Sequence, residues 1–142
     1  MNREKAIRLK IFELLSASPI LIDEGQVDIW DEKVEDNGSN LYIALKRQTA
    51  TIFADNCRNK WNCRIDIWIV NKQRDTISKD TTDDICERVE ELLQPLTDGV
   101  EYNGWQMLNA VLEDLDYDSF DLTETETEIQ LTLTYSLTAI KL

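Results

Sequence analysis

Residues 129–139 read IQLTLTYSLTA and carry the clearest pattern in the chain. Ile129, Leu131, Leu133, Tyr135, Leu137 and Ala139 fall on one side of an extended backbone, and Gln130, Thr132, Thr134, Ser136 and Thr138 fall on the other. A period of two excludes a helix, whose side chains return to one face every three to four residues. Eleven residues at about 3.3 Å each make a strand of roughly 36 Å. The apolar side faces a core. The other side is polar yet uncharged, although it lies in the most acidic third of the chain. Thr132, Thr134 and Ser136 are therefore candidate contacts for a partner.

Upstream, residues 3–15 read as a helix with Asn2 as N-cap and Ile7, Ile11, Leu14 and Leu15 on one face. A strand around Gln26–Glu35 follows. Asn37-Gly38 signals a tight hairpin, because both central positions of a type I′ turn need positive φ; the next strand is Leu41–Arg47. Gln48–Lys60 is polar and reads as a loop. In the strand that follows, Trp61, Cys63, Ile65, Ile67 and Ile69 share a face, opposed by Arg64, Asp66 and Trp68. A second helix over 82–94 carries Ile85, Val89, Leu92 and Leu93 and stops at Pro95. A strand from Trp105 to about Leu115 and an acidic connection, Asp116–Glu128, lead into the last strand. The expected fold is one α+β domain over residues 1–142: a largely antiparallel sheet of about five strands, order α-β-β-β-α-β-β, with two helices on one face.

Composition narrows the function. Apolar residues make up 42% and charged residues 30%, which places the chain among folded proteins rather than disordered ones. No apolar run approaches the roughly 20 residues of a membrane span, and the first residues do not read as a signal peptide, so the expectation is a cytosolic product with no membrane partner. The chain has 3 cysteines and no histidine. Ser-His-Asp and Cys-His catalysis are thus excluded, and the cysteines, without a C-x-x-C pair, do not read as a zinc site. Cys63 fits better as a small core residue, and Cys86 lies next to the apolar stripe of the second helix.

Net charge is −13, and it is unevenly placed. Residues 1–88 hold 16 acids against 14 bases; residues 89–142 hold 12 acids and only Lys141. A surface of that kind does not bind phosphates. Glu113, Asp114, Asp116 and Asp118 begin the acidic run, and Asp121, Glu124, Glu126 and Glu128 complete it. Asp114, Asp116 and Asp118 match the first, third and fifth positions of a calcium loop. The pattern then breaks, with Ser119 where glycine and Thr125 where glutamate belong, so the segment reads as a solvated acidic loop and no metal or cofactor is expected. Trp30 and Trp68 stand on strand faces opposite their apolar neighbours. Exposed tryptophans are frequent anchors at protein interfaces.

Several segments together resemble the tail terminator, or tail completion, proteins of long-tailed bacteriophages: the helix AIRLKIFELL, the strands LYIAL and CRIDIWIV, the helix TTDDICERVEELL and the closing strand TEIQLTLTYSLTAI. The similarity covers nearly the whole chain and contains no invariant chemical motif. It departs from the family where Asn40-Leu41 replaces a common proline-tyrosine entry. The resemblance implies a virion protein without catalytic residues, assembled in the bacterial cytoplasm. Members form a ring, commonly a hexamer, that caps the head-proximal end of the tail tube and meets the head connector. DNA passes through such a ring without specific binding. On this reading the eight acids line the channel or a subunit interface, and Trp30, Trp68, Thr132, Thr134 and Ser136 meet neighbours. Alternatives are another neck or connector protein of the virion, or an acidic DNA mimic that inhibits a nucleic-acid-binding protein. A mimic would display carboxylates at regular spacing along one face, whereas here the acids read as a connection.

Overall fold

The computed structural model describes residues 1–22, 25–31, 40–52, 59–74 and 80–142. Its centre is a pair of long antiparallel strands, β5 (Lys60–Arg74) and β8 (Glu126–Lys141), in register without interruption from Lys60↔Ile140 to Arg74↔Glu126. Around them lies a six-stranded sheet in the order β3-β4-β5-β8-β7-β6, made with β3 (Asp28–Asp31), β4 (Leu41–Ile52), β6 (Val100–Tyr102) and β7 (Trp105–Asp121). The short strands β1 (Leu21–Ile22) and β2 (Gly25–Gln26) form a separate ribbon.

Helices α1 (Arg3–Ser16) and α2 (Asp80–Leu92) and the single turn α3 (Gln94–Asp98) complete the described elements. Asn2 caps α1, its side-chain oxygen accepting from the Lys5 backbone N–H at 2.8 Å. The apolar stripe of α1, Ala6, Ile7, Ile11 and Leu15, joins Ile85 and Val89 of α2 in one core with Ile65, Ile67, Leu131 and Leu133 of the sheet. Both long helices thus cover the same sheet face. Pro95 does not simply end a helix at 94; α2 stops at Leu92 and Pro95 sits in the first turn of α3, where a missing N–H costs nothing.

The α+β class holds, but the strands differ from expectation in several ways. The sheet has six strands, because the three-residue β6 pairs with β7 across Asn103-Gly104. Their φ values of 48° and 83° are those of a type I′ turn. The strand before Asn37-Gly38 does not form a hairpin with Leu41–Arg47. Instead β3 runs parallel to β4, with Ile29 beside Ile43 and Trp30 beside Ala44. Asn37 and Gly38 themselves lie outside the described residues. Burial explains the direction: this alignment sets Ile29 with Ile43 on the helix side, and Arg8 of α1 reaches Asp31 at 2.6 Å to hold the strand end. Finally, Gln48–Lys60 is not all loop. β4 continues to Ile52 and β5 begins at Lys60, while 53–58, including Cys57, lie outside the described residues.

Cys63 and Cys86 are buried. Burial pushes both thiols up from 9.0 to about 11; Glu90 and Asp83 add to the effect at Cys86, and at Cys63 nearby Arg3 works against it. The folded chain holds these protons more tightly than the unfolded chain does. Their contribution to stability is therefore complete below 9.0 and is lost as the pH rises towards about 11.

Two outcomes follow. Leu133→Ala leaves a cavity beneath β8 and should lower the unfolding free energy in urea by about 2–5 kcal/mol, whereas Thr132→Ala should stay within about 0.5 kcal/mol; equal costs would contradict the assignment of faces. Brief iodoacetamide treatment at mildly alkaline pH should leave Cys63 and Cys86 unmodified in the native protein and alkylate both after unfolding, as read by peptide mass mapping. Alkylation of either at the same rate in both states would contradict their burial.

Candidate functional site

The helices cover one face of the sheet, and period-two alternation determines what stands on the other. Opposite Ile65, Ile67 and Ile69, β5 presents Arg64, Asp66 and Trp68; opposite Leu131, Leu133 and Tyr135, β8 presents Thr132, Thr134 and Ser136. Register carries these positions across the sheet. One transverse row runs Trp30, Ala44, Trp68, Thr132, Asp116, and the next runs Asp28, Tyr42, Val70, Gln130, Asp118. All five expected interface residues, Trp30, Trp68, Thr132, Thr134 and Ser136, therefore share this face.

The rows pass from aromatic to acidic. Trp30 and Trp68 flank Ala44, which is fully buried between them. Lys46 lies over the Trp68 ring, 5.0 Å from its centroid. The Trp30 indole N–H is buried and finds no hydrogen-bond acceptor among the described residues, a state that costs about 1–3 kcal/mol where no acceptor is supplied. In the middle, the Thr134 hydroxyl donates to Asp66 at 3.0 Å. Thr49, Thr51, Asn62, Arg64, Glu113 and Ser136 line an open polar groove of about 470 Å³. It is crossed by the Arg64–Glu113 ion pair at 2.8 Å. Both partners are substantially exposed, so the pair orients side chains more than it stabilises the fold.

The segment expected as an acidic connection is a β-hairpin. β7 continues through Asp121, β8 starts at Glu126, and only residues 122–125 turn. Thr123 organises the turn, its hydroxyl accepting from the backbone N–H groups of Thr125 and Glu126 at 3.3 and 3.0 Å. The part of this strand that sequence reading missed, 116–121, is rich in aspartate, which is uncommon in strands, while two irregularities lie in the part that it found. The register slips by one residue between Leu108 and Val111, where Asn109 has φ 56°, and again between Leu112 and Asp114. Each is a β-bulge, one extra residue on β7.

The two slips cancel in phase. Asp114, Asp116 and Asp118 pair with Thr134, Thr132 and Gln130 and so stand on the face away from the helices, about 7 Å apart. Glu113, at the second bulge, joins them there through Arg64. Glu128 pairs with Lys72 and Phe120 on the same face. Glu126 is in register with Arg74, and Glu124 lies in the turn. Asp121 is on the other side, its carboxylate accepting from the Thr127 hydroxyl at 3.5 Å. Tyr117 is also on that side, where it donates to Asp83 in the first turn of α2; burial first, then this bond, pushes its phenol up. The hairpin also exposes Val111, Leu115, Phe120 and Leu122. Sequence reading missed these four because no regular alternation surrounds them.

As chemistry, the face offers side chains for contact. The three aspartates sit on a strand, not in a calcium loop, and no group of three potential metal ligands converges among the described residues. Among the described residues, no helix is long and apolar enough to cross a membrane.

No family model matches the chain, and no curated protein matches it. The fold has a counterpart among solved structures. A chain from the virion of a native gene transfer agent particle superposes with a TM-score of 0.71 over 95% of this chain and 96% of that one, at 11% sequence identity. At that identity the similarity establishes a shared fold.

Proposed function

We propose that this chain is a non-enzymatic structural protein of a phage-like virion, a tail terminator that forms a ring on the head-proximal end of the tail tube and meets the head connector. The supporting observation is the near-complete agreement in fold with a virion chain. It is joined by a sheet face away from the helices suited to contact: two tryptophans, a neutral Thr-Ser strip and a carboxylate row. Large aromatic side chains at a surface are features that a bound partner covers. The acids suit a channel through which DNA passes without adhering, since phosphate binding would require cations instead. The assembly site on this reading is the bacterial cytoplasm and the destination is the virion neck.

One observation favours the DNA-mimic reading more than the sequence did. Asp114, Asp116 and Asp118 do not belong to an irregular connection; they form an evenly spaced line on one strand face. Regular carboxylates are what a protein that binds nucleic acid could mistake for a backbone.

Light scattering on the purified chain, alone and with isolated tail tubes, separates the two. A terminator should give a ring-sized species, or a monomer that becomes a ring at one end of the tubes in electron micrographs. A chain that ignores tubes and forms a tight complex with a basic nucleic-acid-binding enzyme would overturn the terminator reading in favour of the mimic.

A further inference from the structure

The two ends of the sheet, read along its strands, are complementary in charge and alike in exposing apolar side chains. One end is the β7–β8 turn. It carries Asp118, Asp121, Glu124, Glu126 and Glu128, with Lys72 and Arg74 as the bases in register nearby. Phe120 and Leu122 there are each 46% exposed.

The opposite end gathers the finish of β4, the start of β5, the finish of β8 and the start of α1. Ile52 is in register with Trp61, Trp61 with Ala139 and Trp105 with Lys141, and the Trp105 indole donates to the Met1 carbonyl at 2.9 Å. Lys5, Lys60 and Lys141 are exposed there, together with Glu101, while Glu4 is paired with Arg3 at 3.0 Å. The apolar side chains exposed at this end are Met1 at 55%, Ile52 at 52% and Leu142 at 64%. Of the large apolar residues that are exposed among those described, five lie at the two ends, and each group sits beside charge of opposite sign to the other.

We infer that the acidic hairpin tip of one copy docks on the basic, apolar opposite end of a second copy. This rests on the ring reading and specifies its contact. Tip-to-tip pairing would set carboxylates against carboxylates, and the same holds for the lysines at the other end. The compatible contact is head-to-tail, and a head-to-tail contact either closes into a ring or runs on as a filament. Phe120 and Leu122 supply apolar area to cover Ile52 and Leu142, and the flanking charges set the direction.

Charge reversal in the full-length protein tests this. The tip variant Asp118→Lys/Glu124→Lys and the end variant Lys60→Glu/Lys141→Glu should each fold, by circular dichroism, yet fall to monomer mass in light scattering. Mixed in equal amounts, they should regain the assembled mass, because each tip then meets an end of opposite sign. Carbodiimide, which joins touching amines and carboxylates without a spacer, should link Lys60 or Lys141 to Glu124 or Glu126 in the wild-type assembly. Within one copy these groups lie about 45 Å apart along the strands, so the link reports contact between copies. Variants that assemble as well as the wild type, or assemblies lacking that link, would overturn the tip-to-end contact while leaving the ring reading in place. A wild-type chain that stays monomeric alone and on tail tubes would overturn both.

Discussion

The pairing of β5 with β8 is the constraint on which the rest of the molecule depends. Fifteen consecutive residues of β5 meet β8 without a slip, so a face assigned at one point holds along the whole length. Cys63, Ile65, Ile67 and Ile69 of β5 and alternate residues from Ile129 to Ala139 of β8 are thereby committed to the helix side, and the residues between them, Trp68 included, are turned away from it. α1 and α2 can cover only one side. What the opposite side displays follows from alternation alone.

That dependence explains what could be read from the sequence. The closing strand, the core face of β5 and the stripes of α1 and α2 were legible, because a strict period of two or a regular helical stripe survives without knowledge of neighbours. Asn2 as a cap was legible for a similar reason: its bond to Lys5 spans three residues. The direction of β3 was not. A turn signal such as Asn37-Gly38 reports on its own few residues, while pairing direction follows from which side chains can share the core, here Ile29 with Ile43. The end of β7, residues 116–121, was hidden because its aspartates resemble loop chemistry. The sheet face away from the helices was legible in part. Trp68 and the threonines followed from alternation, but their meeting with Trp30 and the carboxylate row depends on sheet order, which no single strand encodes.

The surface repeats one physical theme at two scales. Across the strands, side chains grade from indole rings through uncharged hydroxyls to carboxylates. Along the strands, charge changes sign from one end to the other. Neither gradient stabilises the fold, since exposed charges in water contribute little to it. Both give an approaching partner a direction.

The paired bulges of β7 have a consequence best put in the language of reading frames. Each inserted residue shifts the alternation by one, and the second restores what the first displaces. Deletion of the extra residue at either bulge would let β7 pair one-to-one with β8 at that point, and Asp114, Asp116 and Asp118, held by their register with Thr134, Thr132 and Gln130, would keep their face. The frame is set by the partner strand, so a single-residue change of length at a bulge alters the odd–even parity of the sequence without exchanging what the two faces display.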